Sequence, residues 1–158
     1  INITTVCDLN AERAAQLCPQ AERVANPMDL VQRADVDIVV ELFGGTGIAK
    51  EAVLNAINSG KHVVTANKKL LAEYGSEVFA LAEEKNVMVQ FEAAVAGGIP
   101  IIKALREGLA ANRIRSIAGI INGTSNFILS EMRGKRQRVC RRIERSAGIG
   151  LCRSRPDL

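Results

Sequence analysis

The spacing of apolar and polar residues predicts that strands alternate with helices along the first 91 residues. Short apolar runs rich in Val, Ile and Thr predict strands at residues 3–6, 36–42, 62–65 and 87–91. Helices are predicted between and after them, at residues 11–17, 29–33, 49–58 and 70–85. This alternation is typical of βαβ units and a parallel sheet.

Single positions define several of these elements more closely. Asn10 suits the N-cap of the first helix. The run 36–42 is almost continuously apolar, which predicts a parallel strand covered on both faces. Gly60 is expected to end the helix 49–58 as its C′ residue. Four apolar residues of that helix are spaced to share one face: Ala52, Val53, Ala56 and Ile57.

The pattern changes after residue 92. Residues 93–98 are small and include two adjacent glycines, which let a ligand or ion approach the backbone closely. Pro100 suits the first turn of a helix predicted at 101–109. A strand at 114–121 and a helix at 127–132 are expected to open a second domain.

The composition is that of a water-soluble globular protein. The chain has 158 residues, of which 47% are hydrophobic and 24% charged, enough for a domain with a core. No apolar run approaches the ~20 residues of a membrane span. The chain begins without Met, as if cut from the middle of a domain. The chain has four cysteines: Cys7, Cys18, Cys140 and Cys152. Their spacing is neither that of metal ligands nor that of a CxxC motif, so they indicate reduced thiols of a cytoplasmic protein.

The net charge of +4 comes from the end of the chain. Residues 134–158 carry eight of the 21 basic residues and two of the 17 acidic ones, so the preceding residues are slightly acidic. Such asymmetry is one sign of a nucleic-acid-binding arm. The tail lacks the interleaved aromatic residues of a stacking surface, and this argues against that function.

Lys68 is the first candidate for chemistry. It follows the strand 62–65 and the polar turn Thr-Ala-Asn, and ligands bind at the carboxyl ends of strands in open α/β sheets. The plain alternative is a solvated lysine in the first turn of a helix.

Asp8 and the glycine-rich loop 44–47 are candidates for binding a dinucleotide. Asp8 stands just beyond a strand, where a dinucleotide fold places the acid that holds a ribose 2′-hydroxyl. The Gly-rich fingerprint expected upstream is absent from the sequence, and residues 44–47 lack its spacing. A helix-flanking acid and a simple turn between strand and helix are the alternatives.

The segment 122–126, Asn-Gly-Thr-Ser-Asn, precedes the last predicted helix. Free backbone N–H groups at a helix start bind anions, so a substrate carboxylate is a plausible ligand. Simple N-capping by Thr124 or Ser125 is the alternative.

Four segments, taken together and in this order, resemble homoserine dehydrogenases. They are residues 41–45 (Glu-Leu-Phe-Gly-Gly), 65–68 (Thr-Ala-Asn-Lys), 92–100 (Glu-Ala-Ala-Val-Ala-Gly-Gly-Ile-Pro) and 119–129 (Gly-Ile-Ile-Asn-Gly-Thr-Ser-Asn-Phe-Ile-Leu). The resemblance covers residues 1–133. It implies reversible reduction of L-aspartate 4-semialdehyde to L-homoserine with NADPH or NADH, in threonine and methionine biosynthesis.

The resemblance also implies a fold and a partner. Residues 1–92 would form a partial Rossmann-type α/β domain with a parallel sheet that lacks its first strand. Residues 93–133 would form the hinge and the start of an α+β substrate and dimerisation domain. The intact protein would be a homodimer, with no nucleic-acid or membrane partner.

Site residues follow from the same resemblance, position by position. Lys68 would be catalytic and would touch both cofactor and substrate. The nicotinamide would be lined by Gly44, Gly45 and Thr46. The substrate would be approached by Gly123 and Thr124. Backbone carbonyl groups of Glu92, Val95 and Gly97 would hold a sodium ion, a hard cation that oxygen ligands suit.

The family pattern stops near Arg133, and the tail 134–158 is predicted to be out of frame. Codons permitted for Gly150 to Leu158, shifted by one base, read Gly-Tyr-Ala-Glu-Ala-Asp-Pro-Thr, which the family has at this place. Because downstream catalytic residues would then be missing, we expect the chain by itself to be inactive and poorly stable.

Two other functions remain open from the sequence. One is another NAD(P)-dependent oxidoreductase of an amino-acid pathway, and the other is a binding module whose basic tail contacts nucleic acid. The sequence does not decide whether the cofactor is NAD or NADP. The negative charge of Asp8 favours NAD, because it would repel the 2′-phosphate of NADP.

Overall fold

The predicted alternation of strands and helices is present in the first part of the chain. The computed structural model describes residues 1–120 and 122–135, so the predicted basic tail lies outside the described residues from position 136 onward. The chain divides into one unit of residues 1–110 and a second unit that starts at residue 111. The elements of the first unit up to residue 91 are β1 (Thr5–Val6), α1 (Ala11–Leu17), β2 (Glu22–Arg23), α2 (Pro27–Val31), β3 (Ile38–Glu41), α3 (Gly47–Asn58), β4 (His62–Thr65), α4 (Lys68–Glu84) and β5 (Val89–Gln90).

The strands form two parallel sheets. One contains β3, β4 and β5 in that order, and the other pairs β1 with β2. The predicted α/β class with parallel pairing is therefore confirmed. Strand β2 was not predicted, because it consists of two polar residues and so shows no alternation of apolar and polar positions.

The core lies between the three-stranded sheet and the helices α3 and α4. The predicted apolar face of α3 is buried, and Ala49 extends it by one turn. Gly60 ends this helix as predicted, with a φ of +75°. Its N–H donates to the Ile57 carbonyl, and the next N–H, of Lys61, donates to the Ala56 carbonyl. This is a Schellman C-cap, which needs a residue in the left-handed region.

Strand β3 differs from the prediction that both of its faces are covered. Val39 is buried against the helices, whereas Ile38 and Val40 on the opposite face are 48% and 58% exposed. The described residues cover only one face of this strand. The near-continuous apolar run 36–42 therefore predicted a parallel strand correctly, but it did not predict that one face of the strand is exposed.

The end of the first unit is more irregular than predicted. The segment that follows β5 forms a one-turn helix, α5 (Glu92–Val95), which was not predicted. The predicted helix 101–109 is split into a short helix, α6 (Ile101–Lys103), and a π-helical segment, Ala104–Gly108.

The second unit contains one helix within its described residues, α7 (Gly123–Lys135). Residues 114–120 form no strand, so the strand predicted at 114–121 is wrong over its described part. A strand needs a hydrogen-bonded neighbour, and the described residues of this unit provide none. No helix in the described parts of the chain has the length and apolar character to cross a membrane.

Candidate functional site

Glu41 and Thr65 are neighbours at the ends of adjacent parallel strands. They are partners in the register of β3 with β4, and each is the last residue of its strand. Both side chains are buried, with exposed fractions of 2% and 0%. The pair therefore lies at the carboxyl edge of the sheet, where open α/β sheets bind ligands.

The Glu41 carboxylate accepts hydrogen bonds from neutral donors. Its Oε2 accepts from the Thr65 hydroxyl at 2.6 Å, and its Oε1 accepts from the Phe43 N–H at 2.8 Å. Longer contacts of 3.4 Å join Oε1 to the Gly44 N–H and to the Asn67 amide nitrogen. A buried carboxylate needs such donors because it has lost its hydration.

Asn67 joins the start of α4 to the glycine-rich loop. Its Oδ1 accepts from the Leu70 N–H at 3.0 Å and so caps the helix, while its Nδ2 donates to the Gly45 carbonyl at 2.8 Å. Its backbone N–H donates to the Thr65 hydroxyl oxygen at 3.0 Å. The turn that carries Lys68 is therefore fixed to the loop by one side chain.

The loop between β3 and α3 has an open backbone. Gly44 and Gly45 have φ values of +81° and +72°, a region that glycine adopts without strain. A Cβ atom added at either position would meet nothing within 4 Å. Thr46 is the N-cap of α3, but its side chain makes no capping bond. The loop thus offers unpacked backbone and a hydroxyl to a ligand.

Lys68 is the first residue of α4 and is exposed. Among the described residues its ammonium group has no ion-pair partner, whereas Lys69 lies 3.7 Å from the Glu73 carboxylate. The N-terminus of a helix disfavours positive charge, so Lys68 does not serve the stability of α4. Its ammonium group is available to a ligand.

Asp8 borders a concave surface of about 390 Å³ together with Arg23, the last residue of β2. Its Oδ1 accepts from the Asn10 N–H at 2.7 Å, next to the helix that Asn10 caps as predicted. Asp8 therefore has the helix-flanking position of the plain alternative, and the residue is exposed. Arg23 was missed by sequence reasoning because β2 itself was missed.

Cys7, beside this surface, is a free thiol, as is Cys18. Burial, followed by the negative charges of Asp8 and Asp29, raises the pKa of the Cys7 thiol. A raised pKa keeps the thiol neutral, so Cys7 adds no negative charge to the surface that Asp8 borders.

The segment predicted to bind sodium forms a tight turn. Gly97 has a φ of +61°, and the Glu92 carbonyl accepts from the Ala96 N–H at 3.2 Å. The Glu92 carboxylate accepts from the backbone N–H groups of Ile102 at 3.1 Å and Lys103 at 2.6 Å. That side chain therefore caps α6. No group of three or more His, Cys, Asp or Glu side chains within residues 1–120 and 122–135 is placed to hold a metal ion.

Gly123 and Thr124 form the first turn of α7 in the second unit. The Asn122 side chain accepts from the Ser125 N–H at 2.9 Å, and its carbonyl accepts from the Asn126 N–H at 3.0 Å. Asn122 therefore caps this helix, rather than Thr124 or Ser125 as the alternative expectation had it. The reason is that the helix begins four residues earlier than predicted.

Sequence reasoning placed Lys68 and the glycines at the edge of the sheet but missed the side chains that connect them. Glu41 and Asn67 make those connections. The available signal was Glu41, the second of the two carboxylates in the largely apolar run 36–42. A charged residue in a strand predicted to be buried must have specific partners.

Two family models match successive parts of the chain, and both describe homoserine dehydrogenases. The family model described as homoserine dehydrogenase, NAD binding domain, matches residues 1–92. The model described as homoserine dehydrogenase matches residues 100–156. The homoserine dehydrogenase of Neisseria gonorrhoeae is 68% identical over 156 residues, which cover 99% of this chain and 36% of that protein. The homoserine dehydrogenase of Pseudomonas aeruginosa is 61% identical over 122 residues, covering 74% of this chain and 28% of that protein.

Solved structures give the same result. The crystal structure of a homoserine dehydrogenase from Thiobacillus denitrificans is similar with a TM-score of 0.86 and 54% identity, over 97% of this chain and 36% of that chain. A hyperthermophilic archaeal homoserine dehydrogenase in complex with NADPH has a TM-score of 0.72 and 29% identity, over 94% and 48% of the two chains. The chain spans about a third of the length of the curated relatives it matches.

Proposed function

This chain belongs to the homoserine dehydrogenase family, as its four motifs predicted, and we propose that the full-length protein interconverts L-homoserine and L-aspartate 4-semialdehyde with NADPH or NADH. The observation that carries the proposal is the available ammonium group of Lys68. It directly follows Asn67, whose amide is bonded to the glycine-rich loop. The reaction belongs to threonine and methionine biosynthesis.

Lys68 has the chemistry that the reaction needs from the protein. The bound nicotinamide supplies or accepts the hydride. The Lys68 ammonium stabilises negative charge that develops on the aldehyde oxygen and holds the proton that this oxygen receives. The unpacked backbone of Gly44 and Gly45, together with the Thr46 hydroxyl, would hold the nicotinamide.

Residues 1–92 form the nucleotide-binding half in this proposal. The exposed carboxylate of Asp8 would accept a hydrogen bond from the adenosine ribose, since Asp8 lies just beyond β1, where dinucleotide folds place this acid. Arg23 on the same concave surface offers a positive charge to a 2′-phosphate. The two residues therefore favour different cofactors, and their balance decides between NADH and NADPH.

The substrate half begins at residue 93 in this proposal. Backbone N–H groups in the first turn of α7, at Gly123 and Thr124, approach the substrate carboxylate, because the start of a helix favours anions. The second domain of the intact protein forms the homodimer. The free thiols of Cys7 and Cys18 support a reducing cytoplasmic location.

A sodium ion held by the backbone carbonyl groups of Glu92, Val95 and Gly97 is part of the same proposal. The tight turn at Gly97 and the capping of α6 by the Glu92 side chain keep this segment compact. Carbonyl oxygens are suitable ligands for a hard cation. Raising the sodium concentration at constant ionic strength, with tetramethylammonium as the balancing cation, would raise the thermal unfolding midpoint if the site exists.

The experiment that tests the function is an assay of the full-length protein. L-homoserine is added with NADP⁺ or NAD⁺, and formation of the reduced cofactor is followed by absorbance. We expect Lys68→Ala to lower kcat about 10²- to 10⁴-fold, the usual contribution of a general acid. The matched control, Lys69→Ala, loses only an exposed ion pair and keeps wild-type turnover. The absence of homoserine-dependent turnover in the wild-type protein would overturn the proposal.

A further inference from the structure

Glu41 is a buried carboxylate whose partners within the described residues are neutral. It is 2% exposed, and its hydrogen bonds come from a hydroxyl, an amide side chain and backbone N–H groups. An ionised carboxylate at such a place is costly unless several donors converge on it. An apolar residue would fill the end of β3 at lower cost, so the carboxylate has a role that depends on its geometry.

The donors come from two different segments at the carboxyl edge of the sheet. The backbone N–H groups of Phe43 and Gly44 belong to the glycine-rich loop, at 2.8 and 3.4 Å. Thr65 and Asn67 belong to the turn that leads into Lys68, and their side chains lie 2.6 and 3.4 Å from the carboxylate. The Glu41 carboxylate therefore joins the loop to the turn, in addition to the hydrogen bond between Asn67 and the Gly45 carbonyl.

We propose that Glu41 is a positioning residue for hydride transfer, which holds the backbone of Gly44 and Gly45 at a fixed distance from the turn carrying Lys68. Glu41 acts through Asn67 and the loop and does not touch substrate or cofactor. The inference rests on the proposed function, because the loop and Lys68 are the two parts that the reaction must align.

The substitution Glu41→Gln separates positioning from simple packing, because the two side chains have nearly the same volume. The Gln carbonyl can still accept from the Phe43 N–H. Its NH₂ group, however, faces the Thr65 hydroxyl, which already accepts from the Asn67 N–H at 3.0 Å. The hydroxyl proton then loses its acceptor, and the Asn67–Gly45 hydrogen bond of 2.8 Å is left as the main contact that holds the turn to the loop. Displacement of reacting groups by about 1 Å can lower a rate about 10²-fold.

Three experiments are carried out on the full-length protein and its E41Q variant. They are hydrogen exchange of the peptide that contains residues 41–47, the NADPH dissociation constant from cofactor fluorescence, and kcat and KM for homoserine oxidation. We expect at least about tenfold faster exchange in that peptide, since a lost acceptor increases local opening. We also expect several-fold weaker NADPH binding and a kcat lowered about 10- to 100-fold, with KM for homoserine within about twofold of wild type.

The matched control is Ile57→Val, which removes one methyl group from the fully buried core face of α3. It lowers the thermal unfolding midpoint but leaves the exchange of residues 41–47, the NADPH dissociation constant and kcat at their wild-type values. A merely structural role of Glu41 predicts that E41Q behaves like this control, and that outcome would overturn the inference.

Failure of the inference and failure of the proposed function are distinguishable. If the wild-type protein turns over homoserine and E41Q matches it in all three measurements, only the inference is wrong. If the wild-type protein does not turn over homoserine, the proposed function is wrong. In that case the role of Glu41 is still tested: unchanged hydrogen exchange of residues 41–47, or unchanged NADPH binding, in E41Q rejects it. If E41Q does not fold, Thr65→Val removes the shortest of these hydrogen bonds and decides the question by the same three measurements.

Discussion

The Thr65 hydroxyl donates to the Glu41 carboxylate at 2.6 Å, and the two residues lie opposite each other at the last position of the β3–β4 pairing. This one contact connects the regular part of the sheet to the irregular segments that follow both strands. The pairing of the two strands brings the side chains together. The side chains in turn hydrogen-bond to the glycine-rich loop after β3 and to the turn that precedes α4. The edge of the sheet is thus organised by a buried polar pair rather than by apolar packing.

The Thr65–Glu41 contact should be measurable as stability. Thr65→Val keeps the shape of the side chain but removes the donor, leaving one oxygen of a buried carboxylate without its closest partner. We expect a loss of about 1.5–3 kcal/mol in the free energy of unfolding, as for hydrogen bonds to charged groups. The measurement is urea denaturation of the full-length protein.

The same substitution at Thr5 is the control. The Thr5 hydroxyl is buried but has no hydrogen-bond partner among the described residues. Replacing an unsatisfied hydroxyl by a methyl group is neutral or stabilising, so Thr5→Val should leave the urea midpoint unchanged or raise it. Equal destabilisation by both substitutions would show that the Thr65 hydroxyl has no special contribution.

The sequence predicted best those elements that are specified by neighbours along the chain. The limits of β4, the limits of α1 and its Asn10 cap, and the left-handed Gly60 were all correct, because each follows from a local pattern. Membership of the family was also predicted, since four motifs in order carry more information than local propensity.

What the sequence could not predict depends on residues that are far apart along the chain. The Glu41–Thr65 hydrogen bond spans 24 positions, and the two-residue strand β2 exists only because β1 lies beside it. The segment 114–120, which is apolar except for Arg115 and Ser116, was predicted to be a strand, yet the described residues contain no partner strand for it. Pairing, and not propensity, decides whether such runs become strands.

The Arg33–Asp35 ion pair predicts a specific dependence of stability on pH. The Arg33 guanidinium donates to both oxygens of the Asp35 carboxylate, at 2.9 and 3.0 Å, and this lowers the pKa of Asp35. A lowered pKa in the folded state means that the carboxylate stabilises the protein above the unfolded-state pKa of about 3.9. That stabilisation is lost as the pH falls through the lower, folded-state value.

Asp35→Asn should therefore lower the urea midpoint slightly at pH 7, with the difference from wild type vanishing under strongly acidic conditions. The effect is small because the carboxylate is exposed to solvent and salt. Asp37→Asn removes an equal charge where the described residues show no ion pair, and it serves as the control. An Asp35→Asn effect that persists undiminished in acid would exclude the ion pair as its cause.

The tail 134–158 remains predicted to be read in a shifted frame. Resequencing the coding DNA from the codon of Gly119 to beyond Leu158 should reveal a one-base insertion or deletion between the codons of about Arg133 and Val139. The family model that begins at residue 100 matches as far as residue 156, so its match extends past Arg133 into this tail. The corrected frame should read Gly-Tyr-Ala-Glu-Ala-Asp-Pro.

Confirmation of the tail by the DNA, with no other open frame, would contradict this prediction. The basic segment would then be native, and its alternative function as a nucleic-acid contact would need a direct test. Retention on DNA that weakens steeply with salt is the signature of phosphate contacts.

The choice between NADPH and NADH should depend on the opposite charges of Asp8 and Arg23. Both line the concave surface beyond β1 and β2, and the 2′-phosphate of NADPH carries negative charge that NADH lacks. We expect Asp8→Asn to strengthen NADPH binding about three- to tenfold by removing repulsion, and to weaken NADH binding by replacing a hydrogen-bond acceptor for the ribose hydroxyls. Fluorescence titration of the full-length protein with each cofactor measures both changes.

Arg23→Gln should act in the opposite direction, weakening NADPH binding while leaving NADH binding nearly unchanged. The loss should shrink at high salt, because an exposed charge contact is screened within about 10 Å at 0.1 M ionic strength. Arg13→Gln, which removes an equal charge from α1 at a residue that does not line this surface, is the matched control and should change neither dissociation constant. If Arg23→Gln weakens both cofactors equally, Arg23 contacts a part that they share, and the 2′-phosphate is recognised elsewhere.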